Sequence, residues 1–274
     1  MWKNNKYQIR SAIAAETGER NLEKNIPCQD SVFSFAKNNI DIVSLADGAG
    51  SCKHSDIGSN LSNKIIANFI SDNFDELYEL GKGDIAKSIL DVAIKGLNQK
   101  AVELQINLND LSSTLLFIAS NNNKILAGHI GDGMIVQVKE NKSKVLSTPE
   151  TGEFLNSTYF LTTTNAQDHL RIYKSKLKGK TGFVLMSDGT AESLYIRKEK
   201  TLARAVTKLI TWLDDTEEGE QNINNDLSIF IKENLIPETG DDCSIALLSV
   251  TPRKSLTFKE FMLKKVKDIL TRRF

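Results

Sequence analysis

The chain of 274 residues has no surplus of either charge, little cysteine and no long apolar run, and each lack removes a class of protein. Lysine plus arginine number 35, as do aspartate plus glutamate, so the overall charge points to neither a nucleic-acid partner nor an anionic membrane. Three cysteines, an odd number without framework spacing, argue against a disulfide-stapled secreted fold. No apolar stretch reaches the roughly 18 residues of a membrane span, and the opening MWKNNKYQIR lacks the apolar centre of a signal peptide. Histidine and cysteine at zinc-ligand spacing are missing too. The compartment expected from these absences is a reducing cytoplasm. With no internal repeat or low-complexity linker, the expectation is one domain over residues 1–250 followed by a tail, 251–274.

What is present suffices for a sizeable core, since 40% of the residues are hydrophobic. KYQIRSAIAAETG, SVFSFAKNN and IDIVSLADG predict strands, the last apolar enough to be buried on both faces. Helices are predicted over 56–80, where Ile57, Leu61, Ile65, Phe69, Ile70, Phe74 and Leu77 lie close to one helical face, and over 84–105, where Ile85, Ile89, Ala93, Leu97, Ala101 and Leu104 do likewise. STLLFIAS, KILAGHI and MIVQVKE return to strand between Asn-rich and Gly-Asp-Gly turns. FLNSTYFLTT is expected to be a strand pair with surface aromatics, and FVLMSDG a strand. Helices are expected over 198–213 and 225–234, bracketing the acidic solvated loop DDTEEGEQNINND, before a last strand at SIALLSV. Strands in one block, helices in another and strands again predict an α+β fold.

IVSLADGAG, residues 42–50, runs an apolar segment into an aspartate among small residues, and FVLMSDGT, residues 183–190, does so again. Asp30 (PCQDS), Asp47 (LADGA), Asp132 (HIGDG), Asp188 (MSDGT) and Asp241 with Asp242 (TGDDC) all adjoin apolar strand-like runs. A single Asp-Gly is an ordinary turn. Gathered on neighbouring strands, these acids would repel and be desolvated at a cost of several kcal/mol unless cations occupied the site. For an oxygen-only site the natural occupants are Mg²⁺ or Mn²⁺.

In order, PCQD, ADGAGS, SSTLLF, IGDG, SDG and DDCSIALL resemble the metal-dependent Ser/Thr protein phosphatases, the PPM or type 2C class, and particularly their compact bacterial branch. The resemblance implies an α-β-β-α sandwich of two antiparallel sheets flanked by helix pairs, with a dinuclear Mn²⁺ or Mg²⁺ centre at one end. It implies that Asp47 bridges both metals, that the Gly48 carbonyl joins one of them, and that Asp188 and Asp241 bind the other. Asp47, Asp188 and Asp241 are thereby the catalytic set. Asp30 resembles the early acid that acts through metal-bound water, and Asp132 the ligand of a weaker third metal. Asp242 stands where the family often has asparagine, so the role given to Asp241 is open to either neighbour. The implied reaction is hydrolysis of phosphoserine or phosphothreonine by an activated water, without a phosphoenzyme. The implied partners are phosphorylated proteins and a cognate Ser/Thr kinase.

Two positions depart from the eukaryotic pattern. No arginine immediately precedes Asp30, in KNIPCQ, so a phosphate contact falls to Arg20 or Lys24 from farther away. Ala49 replaces the histidine two residues after the first metal aspartate, which leaves His54 or water to protonate the leaving group. His129 is expected to be packed rather than ligating. The intact acid set favours an active phosphatase over a catalytically idle phosphatase-like binding module, and the motif order and neutral charge favour it over a two-metal phosphoesterase acting on small molecules or nucleic acid. Cys28, Cys52 and Cys243 each lie within five residues of a proposed ligand, which raises control by oxidation as an alternative to simple packing. Residues 251–274 carry eight Lys or Arg against one Glu and one Asp, with Phe258, Phe261, Met262, Val266, Ile269 and Leu270 at helical spacing. They read as a basic amphipathic helix that packs on the domain, swings free, or docks a partner or an anionic surface, and is dispensable for hydrolysis.

Overall fold

The computed structural model describes residues 6–150, 158–196, 198–217 and 219–253. Two five-stranded sheets, antiparallel throughout, contain all the long strands. One holds β1 (Tyr7–Glu16), β6 (Met134–Lys139), β7 (Lys142–Ser147), β9 (Thr181–Met186) and β12 (Cys243–Pro252), in the order β1-β12-β9-β6-β7. The other holds β2 (Asp30–Lys37), β3 (Ile40–Asp47), β4 (Leu115–Asn121), β5 (Lys124–Ile130) and β8 (Arg171–Lys176), in that order. Helices α2 (Ser55–Glu79) and α3 (Lys82–Leu104) cover the second sheet, and α6 (Arg204–Asp215) and α7 (Glu220–Asn234) the first. Shorter pieces are α1 (Glu19–Glu23), α4 (Ala166–His169), α5 (Asp188–Leu194), α8 (Ile236–Thr239) and a hairpin of β10 (Tyr195–Ile196) with β11 (Thr201–Leu202).

Three apolar layers follow from the period of two along each strand. On β3, Ile40 and Ile42 face the α2–α3 layer while Val43 and Leu45 enter the core between the sheets. Phe117 and Leu116 divide β4 in the same way, as do Leu247 and Leu248 on β12. Central strands are thus buried on both faces, which is why IDIVSLA and SIALLSV read as nearly unbroken apolar runs. Each large side chain so buried contributes about 1.5–3 kcal/mol.

Several expectations need correction. Of FLNSTYFLTT, residues 154–157 lie outside the described residues, and beyond the bridge residue Thr158 the stretch to Thr163 is not strand: the Leu161 amide donates to the Ser113 carbonyl, Leu161 is buried, and Tyr159 stacks on His169 at 3.4 Å between ring centroids. The helix expected over 198–213 begins only at Arg204, because the β10–β11 hairpin occupies the preceding residues. The helix expected from 225 begins at Glu220, inside the supposed acidic loop, where Ile223, Leu227 and Ile231 give it an apolar stripe. The strand β12 passes residue 250 to Pro252, and the expected tail helix lies outside the described residues from 254 onward.

Candidate metal centre

The strand registers bring the acids together. Asp30 sits opposite Asp47 at the open end of the β2–β3 hairpin, and Met134 and Ile245 both pair with Met186. The turns before β6, after β9 and before β12, which carry Asp132, Asp188 and Asp241, therefore open at one end of the sandwich. At Asp47 the backbone is clamped on both sides: its amide donates to Thr114 Oγ1 (2.9 Å), and its carbonyl accepts from the Thr114 amide (2.8 Å). Gly48 follows where a Cβ would lie 2.7 Å from the Ser55 carbonyl oxygen, so a side chain here would displace the start of α2. Gly189 is confined likewise, since its Cβ would lie 2.3 Å from the Asp242 carbonyl oxygen.

Asp47, Asp132 and Asp188 each present a carboxylate oxygen within 4.8 Å of the others'. Asp30 is 6% exposed, and neither of its carboxylate oxygens has a hydrogen-bond partner. Burial pushes the Asp30 carboxyl up to about 7, with the Asp188 charge adding to the rise and the nearby Ser244 and Ser187 hydroxyls opposing it. Asp132 is pushed up to about 6, first by burial and then by Asp188. Burial also raises Asp47 and Asp188; repulsion from Asp30, Asp188 and Asp132 adds to the rise at Asp47, and repulsion from Asp241 to that at Asp188. A cluster of buried acids that resist joint ionisation fits a hard divalent cation.

The adjacent aspartates differ in use. Asp242 accepts the Gly18 amide at Oδ1 (2.8 Å) and the Gln29 amide at Oδ2 (2.7 Å), so its carboxylate ties two loops together. Asp241 accepts the Asp242 amide at Oδ1 (2.9 Å) and turns Oδ2 toward Arg20 Nη1 at 3.6 Å. Both line a cleft of about 510 Å³ with Asp30, Asp47, Gly48, Asp132 and Asp188. Asn21, Gln29, Thr114, Thr158 and Phe160 line it as well, although sequence reasoning named none of them. Gln29 was detectable as the neighbour of Asp30, whereas Thr158 arrives from a polar stretch with no local signal.

None of the three expected substrate contacts is among the residues lining the cleft. Arg20, 65% exposed in its side chain, stands at the rim with Nη2 donating to the Thr239 carbonyl (3.0 Å). Lys24 is exposed beyond the end of α1, and His54 precedes α2; neither lines the cleft. His129 is fully buried, with Nδ1 accepting from Arg171 Nη2 (3.0 Å) and 2.7 Å from Ser147 Oγ. Burial and then the Arg171 charge hold it well below the ordinary histidine range, as a packed neutral ring. Cys28 and Cys243 carry no sign of activation. Burial raises the Cys28 thiol, with Asp30 adding to the effect, and burial pushes Cys243 up to about 11.

Two face-to-face antiparallel sheets between helix layers, with an oxygen-only acidic cluster at one end, define an α-β-β-α sandwich with a candidate site for divalent cations. A family model described as Protein phosphatase 2C matches residues 17–230, and the chain belongs to that family of metal-dependent Ser/Thr phosphatases. Serine/threonine-protein phosphatase 3 of Escherichia coli (strain K12) is 26% identical over 172 residues, covering 61% of this chain and 68% of that protein. The catalytic domain of the serine threonine protein phosphatase PstP, solved in complex with two manganese ions, superposes with a TM-score of 0.61 at 16% identity, covering 89% of this chain and 99% of that one. RsbX in complex with magnesium gives 0.54 at 14% identity, covering 91% and 98%. Such distant structures establish a shared fold. Among the described residues no helix is long and apolar enough to cross a membrane.

Proposed function

We propose that the protein hydrolyses phosphoserine and phosphothreonine in proteins, with a dinuclear Mn²⁺ or Mg²⁺ centre held by its acidic cluster. The observation carrying this reading is the convergence of Asp47, Asp132 and Asp188 beside the buried, unpartnered carboxyl of Asp30. Asp47 and the Gly48 carbonyl would hold one cation, and Asp47 with Asp188 and Asp241 the other. Asp132 would serve a weaker third site, and Asp30 would orient water from the floor of the cleft. Asp242 is assigned to holding the Gly18 and Gln29 loops, because both its oxygens already accept backbone amides. When bound, the cations supply a nucleophilic water near neutral pH and offset charge on the phosphoryl oxygens.

The chain's own residues shape what remains. Ser187 is fully buried and accepts the Ser244 amide at 3.0 Å, so it is not placed to attack a substrate, and a phosphoenzyme is not required. Among the described residues neither lysine nor arginine lines the cleft, and Arg20 is a cation at its rim. We assign Arg20 to the substrate phosphate, leaving Asp241 when substrate arrives. With Ala49 in the cleft and His54 outside it, solvent water is left to protonate the leaving alcohol. The reaction that must supply the substrate is Ser/Thr phosphorylation, the work of a kinase. The free thiols Cys28, Cys52 and Cys243 fit a reducing cytoplasm.

The test is release of phosphate from phosphoserine and phosphothreonine peptides, alongside p-nitrophenyl phosphate, with Mn²⁺ and then EDTA. Metal-dependent turnover of the peptides supports the proposal. Hydrolysis of p-nitrophenyl phosphate alone, with peptides and phosphoproteins untouched, assigns the centre to small molecules, and no hydrolysis of either makes the protein a binding module.

A further inference from the structure

Away from the acidic cleft, the helix layer over the first sheet carries an apolar groove. Between α6 and α7 a hollow of about 300 Å³ is walled by Ala205, Leu209, Trp212, Leu227 and Phe230, with Lys208 and Asp226 also lining it. Ala205 and Phe230 also line a second hollow, which continues past Tyr195 and Leu235 to Thr239. The groove therefore runs along the layer from the end of α6 toward the turn that carries Asp241. Trp212 and Phe230 are left half-buried in it.

We propose that residues 254–274 of this chain fold back as an amphipathic helix into this groove. The first support is where the described chain leaves the domain. Ser249 donates to Asp214 Oδ1 (2.5 Å), and Arg10, its register partner on β1, donates to the Leu213 and Thr216 carbonyls. The end of β12 thus lies against the C-terminal end of α6, where the groove begins at Trp212. The second is length. The apolar set from Phe258 to Leu270 spans 13 residues, about 18 Å as a helix at 1.5 Å per residue, which matches the 12-residue α6. Residues 254–257 provide a tether of about 13 Å when extended.

The third support is charge. Residues 204–234 contain seven acids against three bases, whereas residues 254–274 contain seven lysines and arginines against Glu260 and Asp268. Asp226 borders the hollow itself, and Asp215 and Glu217 stand at the end where the tail would enter, beside Asp214, which is already paired with Lys180 (2.7 Å). So short a tether raises the local concentration of the tail to about the millimolar range, so a modest groove suffices. This inference rests on the helix layer and the tail sequence, not on the phosphatase reading.

Trp2 and Trp212 are the two tryptophans, so Trp2→Phe leaves Trp212 as the sole reporter. Acrylamide quenching of Trp212 and amide hydrogen exchange of 258–270 would be measured in the full-length protein, with and without Phe261→Asp plus Ile269→Asp. Docking predicts protected tail amides, and in the double variant a loss of that protection with quenching increased about twofold or more. Sedimentation would show a monomer in both. Equal quenching overturns the proposal, because the tail then leaves the groove uncovered. It is overturned equally by a dimer whose dilution exposes Trp212, which makes the occupant a second copy. Protection that appears only with phosphatidylserine vesicles also overturns it, because the tail is then a surface anchor.

Discussion

Asp30 gives the most exposed test of the acidic cluster, because its effect on the metal-free fold has a definite sign. Its carboxyl is raised from 3.8 to about 7 in the folded protein, so the native state holds a proton that the unfolded chain releases. The stabilisation is full below pH about 4 and is lost as pH rises toward and through 7, the reverse of an ion-paired aspartate. At full scale the shift corresponds to about 4 kcal/mol. Asp30 shares its field with Asp47, Asp132 and Asp188, and residual structure in the unfolded chain reduces the difference further, so about 2–4 kcal/mol is the working figure. At about 2–4 °C per kcal/mol for a domain of this size, that is a melting shift of roughly 5–15 °C. The perturbation is Asp30→Asn, which cannot ionise. A buried amide without partners costs about 1–3 kcal/mol at every pH, so the signature lies in the pH dependence rather than in either melting point alone. Thermal melting in EDTA between pH 5 and 8 should give two curves that diverge: the variant gains on the wild type as pH rises. Mn²⁺ at about 100 times its dissociation constant should return about 2.7 kcal/mol to the wild type at pH 7.5. Parallel melting curves across this range, or no response of the wild type to Mn²⁺, would refute the reasoning.

Asp47→Asn should be the most damaging of the acid substitutions, and Asp188→Asn and Asp241→Asn should each lower turnover by about 10²-fold or more, with partial rescue at high Mn²⁺ in a metal titration. Asp132→Asn should act mainly on the metal concentration needed for activity. Asp242→Asn should behave differently, losing about 1–3 kcal/mol of stability while its metal requirement stays near wild type, as melting and metal titration together would reveal. Metal-free protein should lose little activity to peroxide once Mn²⁺ is restored, because Cys28 and Cys243 are held as thiols; rapid, reductant-reversible inactivation would contradict this. Ending the chain after Arg253, beyond the last ladder residue Pro252, should leave p-nitrophenyl phosphate hydrolysis intact.

How legible each part was follows from how it is buried. Strands such as β3 and β12 carry apolar residues toward both an inner and a helical layer, so their sequences announce them. The strands β7 and β8 lie at sheet edges, where KSKVLS and RIYKSK keep one side in water, and neither was detectable from periodicity. The amide-rich start of α7 hid a helix whose stripe of Ile223, Leu227 and Ile231 becomes plain only against the first sheet. At the site, the Asp-Gly and Ser-Asp turns were readable because each ends an apolar strand. The division of labour between Asp241 and Asp242 was not readable, since it depends on the Gly18 and Gln29 amides, more than 200 residues away in the chain.

The fold also explains why so costly a cluster is tolerated. Asp47 ends β3, and Asp132, Asp188 and Asp241 lie within two residues of β6, β9 and β12, strands packed between apolar layers, so the strain of gathering the charges falls on rigid elements. Thr114 fixes the Asp47 backbone, Asp242 fixes the Gly18 and Gln29 loops, and the close approaches at Gly48 and Gly189 leave those turns little room to relax. A cluster free to spread would relieve its repulsion by moving apart and would hold cations weakly. Here the carboxylates cannot separate without breaking the ladder between β2 and β3 or the pairings on β9. The remaining ways to relieve the repulsion are to bind protons, as the raised Asp30 and Asp132 values reflect, or to bind metal. Near neutral pH proton binding fades, and the same geometry that destabilises the empty site drives cation binding.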